Sequence, residues 1–208
     1  MTDQEYIDRN LQGFEGDIYV GQELEKLCDQ FKVIRIIETG TFIGGTTVQL
    51  SKLRPVYTIE INEEYYLKAE QNIKDLKTES SFDITQYLGD TVEVLKVIVP
   101  DAKNGRSLFY LDAHWYNYCP LLEELEIIAT QLKTQFKPVI VIHDFQVPDR
   151  FDLGYDEYNG QPFNIHWIKN SLDAVYGEGK YDYHYNTENS TGAKRGLIYI
   201  YPKLEQND

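Results

Sequence analysis

The sequence predicts an α/β fold: a doubly wound, mostly parallel, seven-stranded sheet that ends in an antiparallel hairpin. Five short apolar runs with β-branched and aromatic cores alternate with segments of helical periodicity. This pattern is typical of parallel strands that are covered by helices on both faces. Two further strand-like runs near the end are separated by only a short turn region, and so short a connection forces an antiparallel pair. The 208 residues fit a single domain, 1–208.

The elements follow in a regular order. We expect residues 1–30 to form an N-terminal helical segment. The five parallel strands are predicted in FKVIRIIE, PVYTIEI, FDITQYLG, RSLFYLDA and KPVIVIHDF, and the hairpin in KYDYHYNTE and RGLIYIYP. Asn62 and Pro120 are suitable first residues for the helices after the second and fourth strands. FNIHWIKNSLDAVYG predicts the last helix, and the long irregular segment 145–163 is expected to be an active-site lid that is mobile without ligand.

Composition excludes several classes of partner. The net charge of −14 argues against nucleic acid, because binding to phosphates is driven by Lys and Arg. No apolar run is long enough for a membrane helix, and the first ten residues lack the apolar core of a signal peptide. Cys28 and Cys119 show no metal-ligand spacing and are expected to be reduced, which favours a cytoplasmic protein. We leave open whether the chain forms a homo-oligomer.

A glycine-containing loop, ETGTFIGGTT, follows the first strand. The first strand of a doubly wound sheet normally leads to a cofactor. The GxxxGG spacing of Gly40, Gly44 and Gly45 differs both from the GxGxxG of dinucleotide-binding loops and from the GK[ST] ending of phosphate-binding loops. Glu38 precedes the loop and no Lys lies near it in sequence, so a cofactor with positive charge is the better electrostatic match.

Two more carboxylates end the second and third strands. Glu60 can accept hydrogen bonds from the two vicinal hydroxyls of a ribose. Asp90 could contact an adenine or cap the helix that follows, and the sequence leaves both roles open.

The runs ETGTFIGGTT, YTIEIN, YLGDT, FYLDAHW and VIVIHDF, in this order, resemble the class I S-adenosylmethionine (SAM)-dependent methyltransferases, which have a Rossmann-like fold. The resemblance covers residues 30–203. In that family the glycine loop packs against the methionine part of SAM, the acidic end of strand two holds the ribose, and the residue after strand three lies near adenine. The resemblance therefore implies these cofactor contacts: Glu38, Gly40, Thr41, Gly44, Glu60 and Asp90.

A second group of polar residues ends strands four and five, in LDAHW and IHDF. Carboxylates and imidazoles gathered at one sheet edge suggest a divalent metal. The pattern resembles the small-molecule O-methyltransferases of the catechol and macrolide-sugar type, whose carboxylates hold magnesium. The metal ligands implied here are Asp112, His143 and Asp144, although His143 stands where those enzymes usually have Asp. Magnesium and manganese are the leading candidates, with iron and zinc open; alternatively, the two Asp residues cap helices or bind substrate without a metal.

The implied reaction is an in-line methyl transfer to a hydroxyl, which must lose its proton. His114, beside Asp112 in the predicted catalytic group, is the first candidate for the base, and His166 is the second. The acceptor is expected to be a small molecule, with a sugar favoured by the Tyr- and Asp-rich loop 145–163. Six aromatic residues could form the acceptor pocket: Trp115, Tyr116, Tyr118, Tyr155, Tyr158 and Phe163.

Two rival functions remain. A Rossmann-type NAD(P)-dependent oxidoreductase would share the fold but lacks its glycine signature here. A non-catalytic cofactor-binding homologue would keep the fold without needing the Asp112, His143 and Asp144 group.

Overall fold

The computed structural model describes residues 2–114, 118–132, 134–186 and 190–204. Its helices and strands alternate as predicted. The helices are α1 (Asp3–Leu11), α2 (Ile18–Gln30), α3 (Gly45–Ser51), α4 (Glu63–Leu76), α5 (Thr91–Ile98), α6 (Leu121–Gln131) and α7 (Ile165–Tyr176). The strands are β1 (Val33–Thr39), β2 (Val56–Glu60), β3 (Ile84–Leu88), β4 (Arg106–Leu111), β5 (Val139–Ile142), β6 (Glu157–Tyr158), β7 (Gln161–Pro162), β8 (Tyr181–Tyr185) and β9 (Ile198–Pro202).

Seven of these strands form one sheet in the order β3-β2-β1-β4-β5-β9-β8. The first five in this order pair in parallel, β9 pairs antiparallel with β5, and β8 pairs antiparallel with β9. The predicted fold class and the terminal hairpin are therefore confirmed. Thr187 and Glu188, the end of the predicted strand KYDYHYNTE, lie outside the described residues.

The central strands β1, β4 and β5 are largely apolar because both faces of the sheet are buried there. Ile37, Phe109 and Ile140 pack on one face, in the core that α5, α6 and α7 cover. The neighbouring strand residues Ile36 and Leu108 point to the opposite core, which α2 covers. Successive side chains of a strand point to opposite faces, so a strand buried on both sides has no polar alternation.

The predicted helix starts are observed. The side chain of Asn62 accepts hydrogen bonds from the backbone of Glu64 and Tyr65, and Pro120 directly precedes α6. Asp90 accepts from the backbone N–H of Val92 and so caps α5.

The chain reverses its winding between β1 and β4, which are neighbours in the sheet. Ligands of open α/β sheets bind in the crevice at such a switch point, outside the carboxyl ends of the strands. Residues of α1 and of the turn Phe14–Gly16 supply a wall to this crevice. A side chain on Gly45 would lie 1.9 Å from the backbone oxygen of Asn10, so α1 sits directly against the start of α3.

The segment 145–163 is more ordered than the expected irregular loop. It contains the short antiparallel pair β6–β7, and the backbone of Gly154 bonds to the chain on both sides of Arg195. Leu153 is buried, whereas Phe151 is fully exposed. Short polar sequences such as DEYNGQPF gave no strand pattern. Mobility of this segment remains a prediction.

Within the described residues, none of the helices combines the length and the apolar content that a bilayer span requires.

Candidate active site

A cavity of about 690 Å³ opens at the carboxyl ends of β1, β2, β4 and β5. Its volume is in the range of small-molecule sites, which is about 300–1,000 Å³. Its wall includes the glycine loop, Glu60, the Asp/His residues after β4 and β5, and residues of the N-terminal segment. Apart from Glu38 and Asp90, the two groups of residues that the sequence singled out therefore face one cavity.

The glycine loop approaches the end of β4 closely. Gly40 has φ +84°, and a side chain on it would lie 2.4 Å from the backbone oxygen of Asp112. Gly44 is also left-handed, at φ +85°, and begins α3 as its N-cap. Only glycine adopts this conformation without strain. Gly40, Thr41 and Gly44 all line the cavity, as expected of cofactor contacts.

Glu60 lies at the end of β2, on the cavity wall. Its two carboxylate oxygens accept hydrogen bonds at 2.8 Å, one from the backbone N–H of Phe42 and the other from that of Asn62. These bonds fix the carboxylate against the glycine loop. Each oxygen has a second lone pair, so Glu60 can still accept from a pair of ligand hydroxyls.

Glu38 does not line the cavity, contrary to our expectation of a cofactor contact. It is fully buried behind the loop, where one oxygen accepts from the hydroxyls of Thr47 (2.6 Å) and Thr58 (2.7 Å). Burial raises the pKa of Glu38 to about 8. A neutral carboxyl does not repel an anionic ligand, so our electrostatic argument from Glu38 is wrong. The strand pattern could not show that Glu38 points into the core.

Asp90 serves as a helix cap and also accepts a 2.7 Å hydrogen bond from the hydroxyl of Tyr118. Asp90 itself is not among the cavity-lining residues, whereas Tyr118 is. Of the two roles that the sequence left open, the cap is the one observed. A contact of Asp90 with adenine remains a prediction.

The residues after β4 and β5 converge as predicted. Nδ1 of His143 lies 3.3 Å from a carboxylate oxygen of Asp112 and 3.3 Å from one of Asp144. Nε2 of His114 lies 3.0 Å from the other oxygen of Asp144. Both nitrogens are buried and lack an aligned hydrogen bond despite these distances.

This arrangement fits a divalent ion. Asp112, His143 and Asp144 each offer one ligand atom, and these atoms lie within 4.8 Å of one another. Two consecutive residues can share an ion only if the backbone turns between them, and Asp144 provides that turn with φ +56°. The unpartnered nitrogen of His143 and the mixed nitrogen and oxygen donors suit manganese, iron or zinc as well as magnesium.

The same residues affect one another's ionisation. Burial opposes the charge of Asp112 and Asp144, but His143 and His114 hold the pKa of both carboxyls below the usual value. Burial likewise opposes the charge of His143, yet Asp112 and Asp144 raise its pKa well above the usual value. The group is therefore a closely packed set of opposite charges.

Two residues that the sequence did not predict complete this cluster. Asp156, from the segment 145–163, lies 3.1 Å from Nδ1 of His114. Arg195, from the connection between β8 and β9, pairs with both Asp144 and Asp156. The sequence located Asp112 and Asp144 because they follow the carboxyl ends of parallel strands. Asp156 and Arg195 do not stand at such strand ends, so the same reasoning could not find them.

Neither of the two histidines considered as the base is placed to accept a proton from a ligand in the cavity. His114 lines the cavity, but its two nitrogens face the carboxylates of Asp144 and Asp156. Although burial opposes it, these neighbours and Asp112 raise the pKa of His114, which does not suit a proton acceptor. His166 is exposed on α7 and is not a cavity-lining residue, so the structure does not bring it to the candidate site. It faces solvent because Ile165 and Ile168 occupy the inner side of the helix.

The N-terminal segment contributes residues that carried no motif in the sequence. The cavity wall includes Tyr6, Arg9, Asn10, Phe14 and Glu15. Phe14 is held there by a hydrogen bond of 3.0 Å from its backbone N–H to the hydroxyl of Thr46.

Only some of the aromatic residues that were expected to form the acceptor pocket lie on the cavity wall. Tyr118 and Tyr158 line the cavity. Phe163 is buried behind Tyr158, with their rings stacked 5.7 Å apart, and Tyr155 is partly exposed. Trp115 and Tyr116 lie outside the described residues.

Solved structures with the same fold are numerous. The O-methyltransferase TomG from Streptomyces achromogenes, involved in tomaymycin synthesis and solved with SAM, superposes with a TM-score of 0.63 at 15% identity, over 89% of this chain and 80% of its own. An O-methyltransferase from Bacillus cereus, solved with S-adenosylhomocysteine (SAH), gives 0.63 at 16% identity, over 98% and 92%. An rRNA methylase from Streptococcus thermophilus gives 0.54 at 16% identity, over 88% and 96%.

No family model matches the chain. At these identities the comparisons establish the fold, which is that of the class I SAM-dependent methyltransferases. They leave the acceptor open, since the matched structures act on different classes of molecule.

Proposed function

We propose that this chain, which has the fold of the class I methyltransferases, transfers a methyl group from SAM to a hydroxyl of a small molecule. The observation that carries the proposal is the single cavity in which a glycine loop and Glu60 face a cluster of Asp and His residues. One side of the cavity suits a nucleoside cofactor and the other suits an oxygen acceptor.

The cofactor side is supported by the loop and by Glu60. The left-handed Gly40 and Gly44 let a ligand approach the backbone closely. The fixed carboxylate of Glu60 can accept from the two hydroxyls of a ribose. When bound, SAM supplies a methyl group on a positively charged sulfur. The carboxylate of Glu60 beside the loop favours such a cation over a pyrophosphate.

The acceptor side is supported by the metal-ligand geometry of Asp112, His143 and Asp144. We propose that these residues hold a divalent ion, with magnesium or manganese first. When bound, such an ion would lower the pKa of a hydroxyl that coordinates it. A histidine binds a metal through a neutral nitrogen, so ion binding would release protons from the cluster.

The chain's own residues then do the positioning. In-line transfer depends on holding acceptor, methyl and sulfur in a row. Asp112 lies where the two sides of the cavity meet, because its backbone oxygen touches Gly40 and its carboxylate belongs to the cluster. Asp156 and Arg195 close the acceptor side.

A sugar hydroxyl remains our preferred acceptor, on the basis of the polar Tyr- and Asp-rich segment 145–163. Nucleic acid remains an unfavourable partner for a chain of net charge −14. The oxidoreductase alternative has no support among these comparisons. A non-catalytic homologue is the alternative that an activity measurement excludes.

The test is SAH release from SAM with two acceptors, 4-nitrocatechol and methyl glucoside, each with EDTA and with added Mn²⁺ or Mg²⁺. Acceptor-dependent SAH release that EDTA abolishes and metal restores supports the full proposal. SAH release that EDTA leaves unchanged would contradict the metal site and support methyl transfer without a metal. SAM binding without SAH release in the presence of either acceptor would point to a different acceptor class or to a non-catalytic homologue.

A further inference from the structure

We propose that Glu15 is the general base that takes the proton from the acceptor hydroxyl. This inference rests on the proposed methyl transfer. It concerns a residue of the N-terminal segment for which the sequence suggested no role.

The backbone holds Glu15 in an uncommon conformation on the cavity wall. Its φ of 50° and ψ of 32° are left-handed, which is rare for a residue with a side chain. Such conformations persist where the surroundings impose them, and they are frequent at functional sites. Here the backbone N–H of Ala193 donates to the carbonyl of Glu15 at 3.1 Å. Gly192 packs so closely that a side chain on it would lie 2.1 Å from the same oxygen.

The carboxylate of Glu15 has an oxygen available for a proton. Its Oε2 is shielded from water and has no hydrogen-bond partner in the described part of the chain. Among the charges that act on this carboxylate are those of His143, Asp144, Asp112 and Arg195. Glu15 lines the same cavity as Asp112, His143 and Asp144, where the acceptor would lie.

The other carboxylates on the cavity wall have other partners or roles. Glu60 is held against the glycine loop by backbone hydrogen bonds to both of its oxygens, and it is assigned to the ribose of the cofactor. Asp144 and Asp156 pair with Arg195, and Asp112 faces His143. Burial also raises the pKa of Glu15, which brings it nearer the value at which a carboxylate is an effective base.

The step balances without a further reactant. The acceptor O–H bond breaks and its proton passes to Oε2 of Glu15. The oxygen lone pair forms the new bond to the methyl carbon, while the bond between that carbon and sulfur breaks and its electrons stay on sulfur. The products are the methyl ether, SAH and a neutral Glu15, which then releases its proton to water.

The first test needs no turnover. The full-length protein is labelled with ¹³C at glutamate carboxyls, saturated with SAH and titrated by NMR, and Glu15→Gln assigns the Glu15 signal. We expect that signal to titrate above the ordinary range of glutamate and to shift when 4-nitrocatechol is added. A signal that titrates normally and ignores 4-nitrocatechol would overturn the inference. Failure of the wild type to bind SAH would instead remove the proposed function.

The second test is kinetic, with SAM and methyl glucoside, whose hydroxyls keep their protons until a base removes them. Glu15→Gln should lower kcat by about 10²- to 10⁴-fold, the range for loss of a general base. It should leave KM and the Kd of SAH unchanged and abolish the acidic limb of the pH profile. Glu25→Gln, at an exposed position of α2, is the matched control. Loss of Mn²⁺ binding in Glu15→Gln would make Glu15 a metal ligand, and unchanged kcat would make it structural; either result refutes the role of base.

Discussion

Replacing Gly40 by Ala should destabilise the protein more than the same replacement at Gly160. Both residues are left-handed, with φ +84° and φ +76°. A side chain on Gly160 would meet nothing within 4 Å, whereas one on Gly40 would lie 2.4 Å from the backbone oxygen of Asp112. The pair therefore separates the backbone strain from the steric clash.

The magnitudes follow from these two terms. Holding Ala in the left-handed region costs about 1–2 kcal/mol, offset by up to about 1 kcal/mol from the stiffer unfolded chain. We therefore expect Gly160→Ala to lower the free energy of unfolding by about 1 kcal/mol. Gly40→Ala adds a clash with a backbone atom that cannot rotate away, and overpacking of this kind adds about 1–3 kcal/mol.

Urea unfolding followed by circular dichroism measures both variants. Gly40→Ala should also weaken SAH binding, because the shift needed to relieve the clash moves the loop or the end of β4. Equal losses of stability in the two variants would show that Gly40 has room for a side chain, and would refute the close approach of the loop to Asp112.

Three further predictions concern the buried Glu38, the metal site and the segment 145–163. Glu38 has a pKa of about 8 in the folded protein, so between about pH 5 and pH 8 it keeps a proton that the unfolded chain releases. The free energy of unfolding should therefore fall by about 1.4 kcal/mol for each unit of rising pH in this range. Glu38→Gln should remove this slope in urea unfolding, and an unchanged slope contradicts the assignment. Asp112→Asn should retain SAH binding but lose most activity, as EDTA should do to the wild type; full activity in EDTA would instead make Asp112 a direct substrate contact. Limited proteolysis should cut within 145–163 near the exposed Phe151, and more slowly with SAH and 4-nitrocatechol present; equal rates would make this segment ordinary surface.

The sequence predicted those parts of the fold that depend on local patterns. Buried parallel strands are apolar on both faces, and helix starts such as Asn62 have local signals. The sequence also placed Glu60, Asp112 and Asp144 at one edge of the sheet, because the carboxyl ends of parallel strands lie at the same edge. These residues needed no knowledge of tertiary contacts.

The remaining site residues depend on contacts between distant parts of the chain. Arg195 and Asp156 come from irregular segments whose paths no periodicity describes, and Glu15 lies in a turn before the first strand. Glu38 shows a different limit, since the sequence revealed a carboxylate beside the loop but not its burial and raised pKa. The exposed position of His166 likewise depends on how α7 packs against the sheet.

The central claim is that the cavity binds SAM through the glycine loop and Glu60, and isothermal titration calorimetry with SAH tests it most directly. We expect one SAH per chain, and binding weaker by about 1–3 kcal/mol in Glu60→Ala, the range for loss of a charged hydrogen-bond partner. Glu63→Ala, at an exposed neighbouring position, should bind like the wild type. Binding of NAD⁺ without binding of SAH, or SAH binding that Glu60→Ala leaves unchanged, would contradict the account.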